Sequence, residues 1–190
     1  MTSYCVFEEA PSSPELKSSD TFRVYIRPPR QSDIDAFLAY RNDPASMAKV
    51  GAAPLSVDGG LELLTKQMSK GEADPGWRMF MIVRKEDDRV IGETGAFLRL
   101  ADEREADIGW WLHPDCRGKG YATEAAKLIV AWCLEYIRVD LVTSTCLADN
   151  LASRKVMQRI GMEQEEAGPN ANGVDEYRAI IRANRAAEKR

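Results

Sequence analysis

A short glycine-rich turn, Arg117-Gly-Lys-Gly120, stands immediately before a long segment with helical periodicity. Two glycines at this place let the backbone turn tightly, so that the unpaired N–H groups and the positive dipole end of the helix face one anionic group. A pyrophosphate fits such a site. The spacing matches neither GxxxxGK[ST] nor GxGxxG, which excludes a nucleotide P-loop and a dinucleotide-binding turn. The same glycines also suit a plain strand-to-helix turn, so the turn alone leaves both interpretations open.

The residue types offer little support for metal or disulfide chemistry. The 190 residues include one histidine, His113, so no two- or three-histidine metal site can form within the chain, and we expect no metal. The four cysteines have no CxxC spacing, which predicts reduced thiols and a cytoplasmic protein. No N-terminal targeting pattern is visible and no segment approaches the ~20 apolar residues of a membrane span, so we expect no membrane partner.

Composition and charge predict one ordinary globular domain. Apolar residues make up 44% and charged residues 29% of the chain, which excludes collagen-like, wholly disordered and disulfide-scaffold proteins. The net charge of −4 provides no general attraction to phosphate backbones, so nucleic acid is not an expected partner. We expect the domain at 21–183, between a loose N-terminal arm at 1–20 and a C-terminal tail at 184–190.

Apolar periodicity predicts the order of strands and helices. Alternation predicts strands at about 22–26, 78–83, 89–98, 105–112, 140–147 and 174–181. Helical spacing predicts helices at about 31–41, 57–68, 121–137 and 150–161. Ser32 is the expected cap of the first helix, and Pro44 and Pro54 are expected to interrupt the chain before the second. One strand–helix–strand unit within an otherwise antiparallel order predicts an α/β (α+β) class with a mixed sheet.

Two blocks of the sequence resemble the GNAT acetyltransferase superfamily, and in particular its RimJ/RimL-like branch. Arg117-Gly-Lys-Gly-Tyr-Ala122 resembles the [Q/R]-x-x-G-x-[G/A] acyl-CoA loop. Asn150-Leu-Ala-Ser153 through Arg159-Ile-Gly-Met162 resembles the N-x-x-S block, and Val24–Arg27 and Ile91-Gly92 match more loosely. The resemblance covers about 160 residues, with both blocks in the right order. It implies a GNAT-like fold, a largely antiparallel twisted sheet with a central splayed strand pair and flanking helices.

The resemblance implies acetyl-CoA as cosubstrate, held in a wedge between the strands at 105–112 and 140–147. The backbone of the first strand would pair with the pantetheine arm, and the glycine turn would meet the pyrophosphate. Asn150 matches the position whose side chain hydrogen-bonds pantetheine, and a plain helix cap is its alternative role. The implied cofactor-binding residues are Trp110, Trp111, Leu112, Arg117, Gly118, Lys119, Gly120, Tyr121, Ala122, Thr123, Asn150 and Ser153.

Acyl transfer to an amine needs a base, an oxyanion donor and an acid for the departing thiolate. The resemblance implies a backbone N–H of residues 110–112 as the oxyanion donor. Many family members place a tyrosine acid seven residues after the block's asparagine, and here that position is Met157. In this branch the serine of N-x-x-S is its counterpart, which indicates Ser153, although a surface serine is the alternative. Asp107 and Glu93 are the candidate bases, and each is alternatively an ordinary polar position.

The implied activity is that of an acetyl-CoA-dependent N-acetyltransferase. Its acceptor would be a primary amine, on a peptide or protein N-terminus or on a small molecule, that attacks directly in a ternary complex. The acidic residues Glu103, Glu105 and Asp107 favour a cationic amine, and a charged turn explains them equally. The missing tyrosine leaves a non-catalytic acyl-CoA-binding regulatory module as an alternative. Another alternative, on the same scaffold, is a transferase of a different acyl group to a secondary metabolite. A homodimer is common in this branch, but no sequence feature identifies an interface.

Overall fold

The fold is built on one mixed sheet of seven strands. The computed structural model describes residues 21–50, 53–71, 74–100 and 104–184. The strands are β1 (Val24–Arg27), β2 (Gly76–Arg84), β3 (Arg89–Arg99), β4 (Glu105–Leu112), β5 (Leu141–Leu147), β6 (Glu163–Glu165) and β7 (Glu176–Arg182). They lie in the order β1-β2-β3-β4-β5-β7-β6, and every neighbouring pair is antiparallel except β4 with β5. The mixed α/β class expected from the sequence is confirmed.

Five α-helices accompany the sheet in the described residues. They are α1 (Ile34–Arg41), α2 (Pro44–Val50), α3 (Val57–Met68), α4 (Tyr121–Ala131) and α5 (Leu151–Arg159). Short 3-10 turns at Gln31–Asp33 and Pro114–Cys116 precede α1 and the glycine turn. The helix expected to reach residue 137 does so, but its last turn is π-helical, with the Ile137 N–H donating to the Trp132 carbonyl at 2.9 Å. None of the described helices is long and apolar enough to cross a membrane.

Helix α2 corrects one sequence expectation. Pro44 was expected to break the chain, yet it is the first residue of α2. Proline is tolerated in the first turn of a helix because the N–H that it lacks has no helical partner there. Asp43 precedes it, and its Oδ2 accepts a hydrogen bond from the Ser46 N–H at 2.9 Å. A capping side chain and a first-turn proline therefore begin the helix together.

The start of α1 and the strand β6 each differ from what the sequence predicted. Asp33, rather than Ser32, organises the turn before α1: its Oδ2 accepts from the Arg30 N–H at 2.7 Å, and its carboxylate forms a buried ion pair with Arg27. The strand β6 was not expected, because three residues of sequence Glu-Gln-Glu carry no apolar alternation. It exists because β7 offers it a partner edge, which only the folded sheet provides.

The apolar residues form two clusters, one on each face of the sheet. On one face Trp132 at the end of α4 packs against Phe80 of β2, with ring centroids 5.0 Å apart, in the cluster that also holds Ile108. On the other face Phe37 and Tyr40 of α1 pack against β2. Strand β2 is buried on both sides, which explains its continuous apolar run.

Strands β4 and β5 pair only at their beginnings. The register joins Glu105 to Leu141, Ala106 to Val142 and Asp107 to Thr143, and no further pairs follow. Just beyond, the Ser144 hydroxyl donates to the Ile108 carbonyl at 2.9 Å. The two strands then separate, as the splayed pair expected from the resemblance requires. The domain boundaries stay a prediction, because the arm at 1–20 and all but residue 184 of the tail lie outside the described residues.

Candidate active site

A cleft of about 570 Å³ opens between the end of β4 and the start of α5, beyond the residues where β4 and β5 pair. Ten of the twelve residues expected to bind the cofactor line it, and Lys119 and Tyr121 are the two that do not. The lining residues are Ser46, Trp110, Trp111, Leu112, Arg117, Gly118, Gly120, Ala122, Thr123, Asn150, Ala152, Ser153, Lys155, Val156 and Arg159. The cleft is thus bounded by the end of β4, the glycine turn, the first turn of α2 and one side of α5.

The glycine turn needs glycine for its backbone conformation. Gly118 and Gly120 have φ angles of 75° and 89°, a region that other residues enter only at a cost. Gly120 begins α4, because its carbonyl accepts from the N–H groups of Thr123 and Glu124 at 3.0 and 3.2 Å. The N–H groups before Thr123 are therefore left for another partner, at the positive end of the helix dipole. This end of the cleft suits an anionic group.

Arg23 stabilises the glycine turn through contacts with Lys119 and Glu124. Its Nη2 donates to the Lys119 carbonyl at 2.8 Å, and its Nε donates to Glu124 Oε1 at 2.8 Å. The guanidinium also lies 4.7 Å from the ring centroid of Tyr121, whose side chain is buried in the core. Tyr121 thus contributes to the turn through its packing, while its backbone N–H belongs to the first turn of α4. Nothing in the local sequence indicates Arg23, which precedes β1.

Arg117 connects the turn to β4 and α2. Its Nε and Nη2 donate to the Leu112 carbonyl at 3.0 and 2.9 Å, and its Nη2 donates to the Ser46 hydroxyl at 2.6 Å. The Asp43 carboxylate lies 3.6 Å from the same guanidinium. Hydrogen bonds from Ser46, together with the charge of Arg117, lower the pKa of Asp43. Sequence reasoning missed Ser46, since it lies outside the recognised blocks.

The edge of β4 presents free backbone groups to the cleft. In an antiparallel pair alternate residues direct their N–H and C=O groups to the same neighbour. The His113 N–H donates to the Ile91 carbonyl at 2.9 Å, so residues of that parity face β3. Residues of the other parity direct their N–H and C=O groups away from β3. The Ile108 and Leu112 carbonyls confirm this, because they accept from Ser144 and Arg117. Trp110 lies between them and turns its N–H and C=O toward the gap left by β5.

The start of α5 brings Asn150 and Ser153 to the opposite wall. The Asn150 Oδ1 accepts from the Ser153 N–H at 3.2 Å, so Asn150 is a helix cap, and both side chains line the cleft. Met157, at the family's tyrosine position, is buried in the core. Sequence reasoning missed Lys155 and Arg159, although spacing along a helix from Ala152 places them on the same face.

Asp107 does not line the cleft and lies at the last paired position of β4 and β5. It lines a second cavity of about 500 Å³ and accepts from the Thr143 hydroxyl at 2.9 Å. Burial raises the pKa of Asp107, and the hydrogen bond from Thr143 opposes that rise. Neighbouring Glu105 contacts Arg99 at 3.1 Å and Arg178 at 3.7 Å. Glu103 lies outside the described residues.

Glu93 lies in a buried polar cluster against α1. Only 3% of it is exposed, and its Oε2 accepts from the Tyr40 hydroxyl at 3.0 Å. Its other oxygen pairs with Arg41, whose guanidinium lies 4.8 Å from the ring centroid of Trp111. Burial, together with the charge of Glu93, raises the pKa of Tyr40. The two candidate bases therefore occupy different surroundings: Asp107 faces a cavity, and Glu93 is held by two donors.

A family model and curated relatives match the chain. The model described as the acetyltransferase (GNAT) domain matches residues 23–163. The uncharacterized N-acetyltransferase YnaD of Bacillus subtilis is 28% identical over 145 residues, which cover 76% of this chain and 82% of that protein. The probable N-acetyltransferase YjcK of the same species is 26% identical, with 83% of this chain and 92% of that protein covered.

Solved structures share the fold at lower identity. The microcin C7 self-immunity acetyltransferase MccE, solved with acetyl-CoA and AMP, has a TM-score of 0.74 at 20% identity, covering 91% of this chain and 97% of that one. Mycobacterium smegmatis RimJ, solved with CoA-disulfide, has a TM-score of 0.73 at 19% identity, covering 86% and 84%. Spermidine N-acetyltransferase from Vibrio cholerae, solved with CoA and spermine, has a TM-score of 0.71 at 17% identity, covering 84% and 95%.

The family match spans most of the chain and includes the glycine turn and the whole of α5. The matched range also includes the splayed pair β4–β5 and every residue that lines the cleft. Relatives over comparable lengths are N-acetyltransferases by description. The chain therefore belongs to the GNAT acetyltransferase family and is an N-acetyltransferase.

Proposed function

We propose that the protein transfers the acetyl group of acetyl-CoA to a primary amine, which attacks the thioester directly in a ternary complex. The observation that carries this proposal is the cleft at the end of β4, where a strand edge that β5 no longer pairs, the glycine turn and the start of α5 meet. Acetyl-CoA has anionic phosphates and a peptide-like arm that ends in the thioester. These chemical features match the surfaces that bound the cleft.

The phosphates of acetyl-CoA are expected at the first turn of α4. The N–H groups of the glycine turn and the helix dipole both favour negative charge there. Arg117, Lys155 and Arg159 line the same cleft and add positive charge along it. The amide-containing pantetheine arm is expected along β4, because it supplies the hydrogen-bond partner that the edge lacks beyond Ile108.

The reaction requires three groups around the thioester. The amine nitrogen attacks the carbonyl carbon, a base removes the amine proton, and the C–S bond breaks as the thiolate receives a proton. The backbone N–H groups of Trp110 and Leu112 face the gap, and we assign the oxyanion to one of them. Ser153 lines the opposite wall of the cleft, and we assign the protonation of the thiolate to its hydroxyl.

Asp107 is the base that the contacts favour over Glu93. It lies at the apex where β4 and β5 part, and the Thr143 hydroxyl is its hydrogen-bond donor. The Glu93 carboxylate already accepts from Tyr40 and is paired with Arg41. A proton acceptor must be reachable by the amine, and Asp107 lines a cavity whereas Glu93 is buried.

A cationic amine is the acceptor class that the second cavity supports. Glu105 is neutralised by two arginines, whereas Asp107, Glu166 and Glu176 line the cavity with no ion pair among the described residues. The spermidine N-acetyltransferase of similar fold was solved with the polyamine spermine. The N-x-x-S block and the structural similarity to RimJ support the RimJ/RimL-like branch. Membership of that branch would add peptide and protein N-termini to the candidate acceptors.

The burial of Met157 at the family's tyrosine position supports a second candidate, a non-catalytic acyl-CoA-binding regulatory module. Both candidates bind acetyl-CoA, and only the enzyme releases free thiol when an amine is present. A transferase of another acyl group would release thiol with a different acyl-CoA. The decisive comparison is therefore turnover against binding, with several acyl donors.

The experiment uses the purified full chain with acetyl-, propionyl-, malonyl- and succinyl-CoA. Each donor is combined with polyamines, amino acids, aminoglycosides and peptides with free N-termini. Thiol release and acylated product, identified by mass spectrometry, are the readouts. We expect turnover with acetyl-CoA and a cationic amine. Binding of acetyl-CoA without turnover on any acceptor would support the regulatory module, and failure to bind any acyl-CoA would reject both candidates.

The proposal also includes a homodimer in the cytoplasm. The resemblance to the RimJ/RimL-like branch supports the dimer, and the described cysteines, Cys116, Cys133 and Cys146, are free thiols, in line with a reducing compartment. Sedimentation equilibrium of the full chain at micromolar concentration is the test of the dimer. A sedimenting mass of one chain at all concentrations would reject it.

A further inference from the structure

The first turn of α2 reaches into the cofactor cleft through Ser46. This residue is only 8% exposed, yet it lines the cleft. Its hydroxyl donates to Asp43 Oδ2 at 2.5 Å and accepts from Arg117 Nη2 at 2.6 Å. The hydroxyl hydrogen is thus directed at the carboxylate, and an oxygen lone pair is left for the guanidinium. Asp43, Ser46 and Arg117 form one chain of hydrogen bonds.

This chain of hydrogen bonds fixes one edge of the Arg117 guanidinium. Nε and Nη2 are bound by the Leu112 carbonyl and the Ser46 hydroxyl. A guanidinium has five N–H donors in a rigid plane, and the two on Nη1 have no partner among the described residues. Because the guanidinium is planar, fixing one edge also fixes the direction of Nη1. Arg117 lines the cleft at the entrance of the glycine turn, where the phosphates are expected.

We propose that Ser46 and Asp43 are positioning residues of the acyl-CoA site, which hold Arg117 ready to bind the phosphates. The inference rests on the proposed binding of acetyl-CoA. An arginine that is already ordered loses less side-chain freedom when it binds a phosphate than one that is free in solvent. The first turn of α2 therefore takes part in cofactor binding, although it lies outside both recognised motifs.

The test compares CoA with pantetheine, which has the same arm and no phosphate. Isothermal titration measures both affinities for the full chain and for Ser46→Ala, Ser46→Thr and Arg117→Ala. We expect Ser46→Ala to weaken CoA binding about threefold to tenfold and to leave pantetheine binding unchanged. Ser46→Thr retains a hydroxyl and is expected to bind CoA within about twofold of wild type. Ser46→Ala keeps the backbone N–H that Asp43 accepts, so α2 keeps its cap.

A double-mutant cycle shows whether Ser46 acts through Arg117. In the Arg117→Ala background, Ser46→Ala is expected to have no further effect on CoA affinity. Independent, multiplying losses would overturn the proposal, as would equal losses for CoA and pantetheine, because Ser46 would then be only a wall of the cleft. Wild-type affinity of Ser46→Ala would also overturn it while leaving the proposed function intact. Failure of the wild-type chain to bind CoA would instead reject the proposed function itself.

Discussion

Arg23 and Glu124 are 101 residues apart in the sequence, and their side chains form an ion pair directly behind the glycine turn. Glu124 lies in the first turn of α4, where a carboxylate would oppose the binding of an anionic ligand. Arg23 cancels that charge and also holds the Lys119 carbonyl. The start of β1 thereby contributes to a site that the sequence motif assigns to residues 117–122 alone.

Replacing Arg23 by alanine is expected to weaken acetyl-CoA binding. The change leaves the Glu124 carboxylate unpaired beside the expected phosphates and frees the turn at Lys119. We expect the Kd to rise about threefold to tenfold, with a larger ratio at low salt than at high salt. Arg182→Ala removes an exposed arginine of β7, 3.9 Å from Glu165, and is the matched control that should bind normally. Equal Kd values for the two variants would contradict the role of Arg23.

Comparing Gly118→Ala with Gly161→Ala is expected to distinguish a loss of stability from a loss of CoA binding. Gly118 has a φ of 75° and Gly161 a φ of 85°, and an added Cβ meets nothing within 4 Å at either position. Alanine in this region costs about 1–2 kcal/mol, so both variants should lose similar stability in urea unfolding. Only Gly118→Ala is expected to weaken CoA binding, since Gly161 follows α5 and does not line the cleft.

Replacing Ser153 by alanine is expected to lower kcat without lowering the stability of the fold. Asn150 caps α5 by accepting from the backbone N–H of Ser153, and alanine keeps that donor. We therefore expect an unchanged melting temperature, with a kcat about 10²-fold lower if the hydroxyl protonates the thiolate. Asn150→Ala is the converse variant, with a loss of about 1 kcal/mol in stability from the missing cap. A kcat of Ser153→Ala equal to wild type would assign the proton to another group.

Replacing Asp107 by asparagine is expected to lower kcat by about 10²-fold or more. Burial raises the pKa of Asp107, so the folded chain takes up a proton more readily than the unfolded chain does. The ionised carboxylate therefore opposes folding above the folded-state pKa, and this cost disappears as the pH falls through that pKa. Asp107→Asn should be slightly more stable than wild type near neutral pH. The acid limb of the wild-type pH–rate profile should lie above the ordinary aspartate pKa of 3.8.

Glu93→Gln provides the contrasting variant. It breaks the buried pair with Arg41 and weakens the hydrogen bond from Tyr40. We expect a loss of about 2 kcal/mol in the free energy of unfolding, with kcat of the folded enzyme within about tenfold of wild type. Urea unfolding and initial rates on the same preparations measure the two effects. A loss of kcat larger than that of Asp107→Asn, in a stably folded variant, would move the role of base to Glu93.

Local sequence predicted most of the elements and most of the cleft. The strict alternation of β4 assigned Ile108 and Trp110 to one face and Trp111 to the other, and the two core clusters confirm this. It failed at α2 and β6. The start of α2 was readable in the sequence, because Asp43 and Pro44 are adjacent and together form a local cap and first-turn signal. The three-residue polar strand β6 was not readable, because it exists only where β7 lies beside it.

By itself the sequence determined the positions that must be glycine, the amphipathic segments and the two motif blocks, because each depends on residues close together in the chain. Only the tertiary structure decided which distant side chains meet. It brought Arg23 to Glu124 and Ser46 to Arg117, and it separated Asp107 from Glu93 although both are carboxylates on neighbouring strands. The physical reason is that the pairing, burial and ionisation of a charged side chain depend on its neighbours in the folded chain. Those neighbours are distant in the sequence, so local spacing does not reveal them.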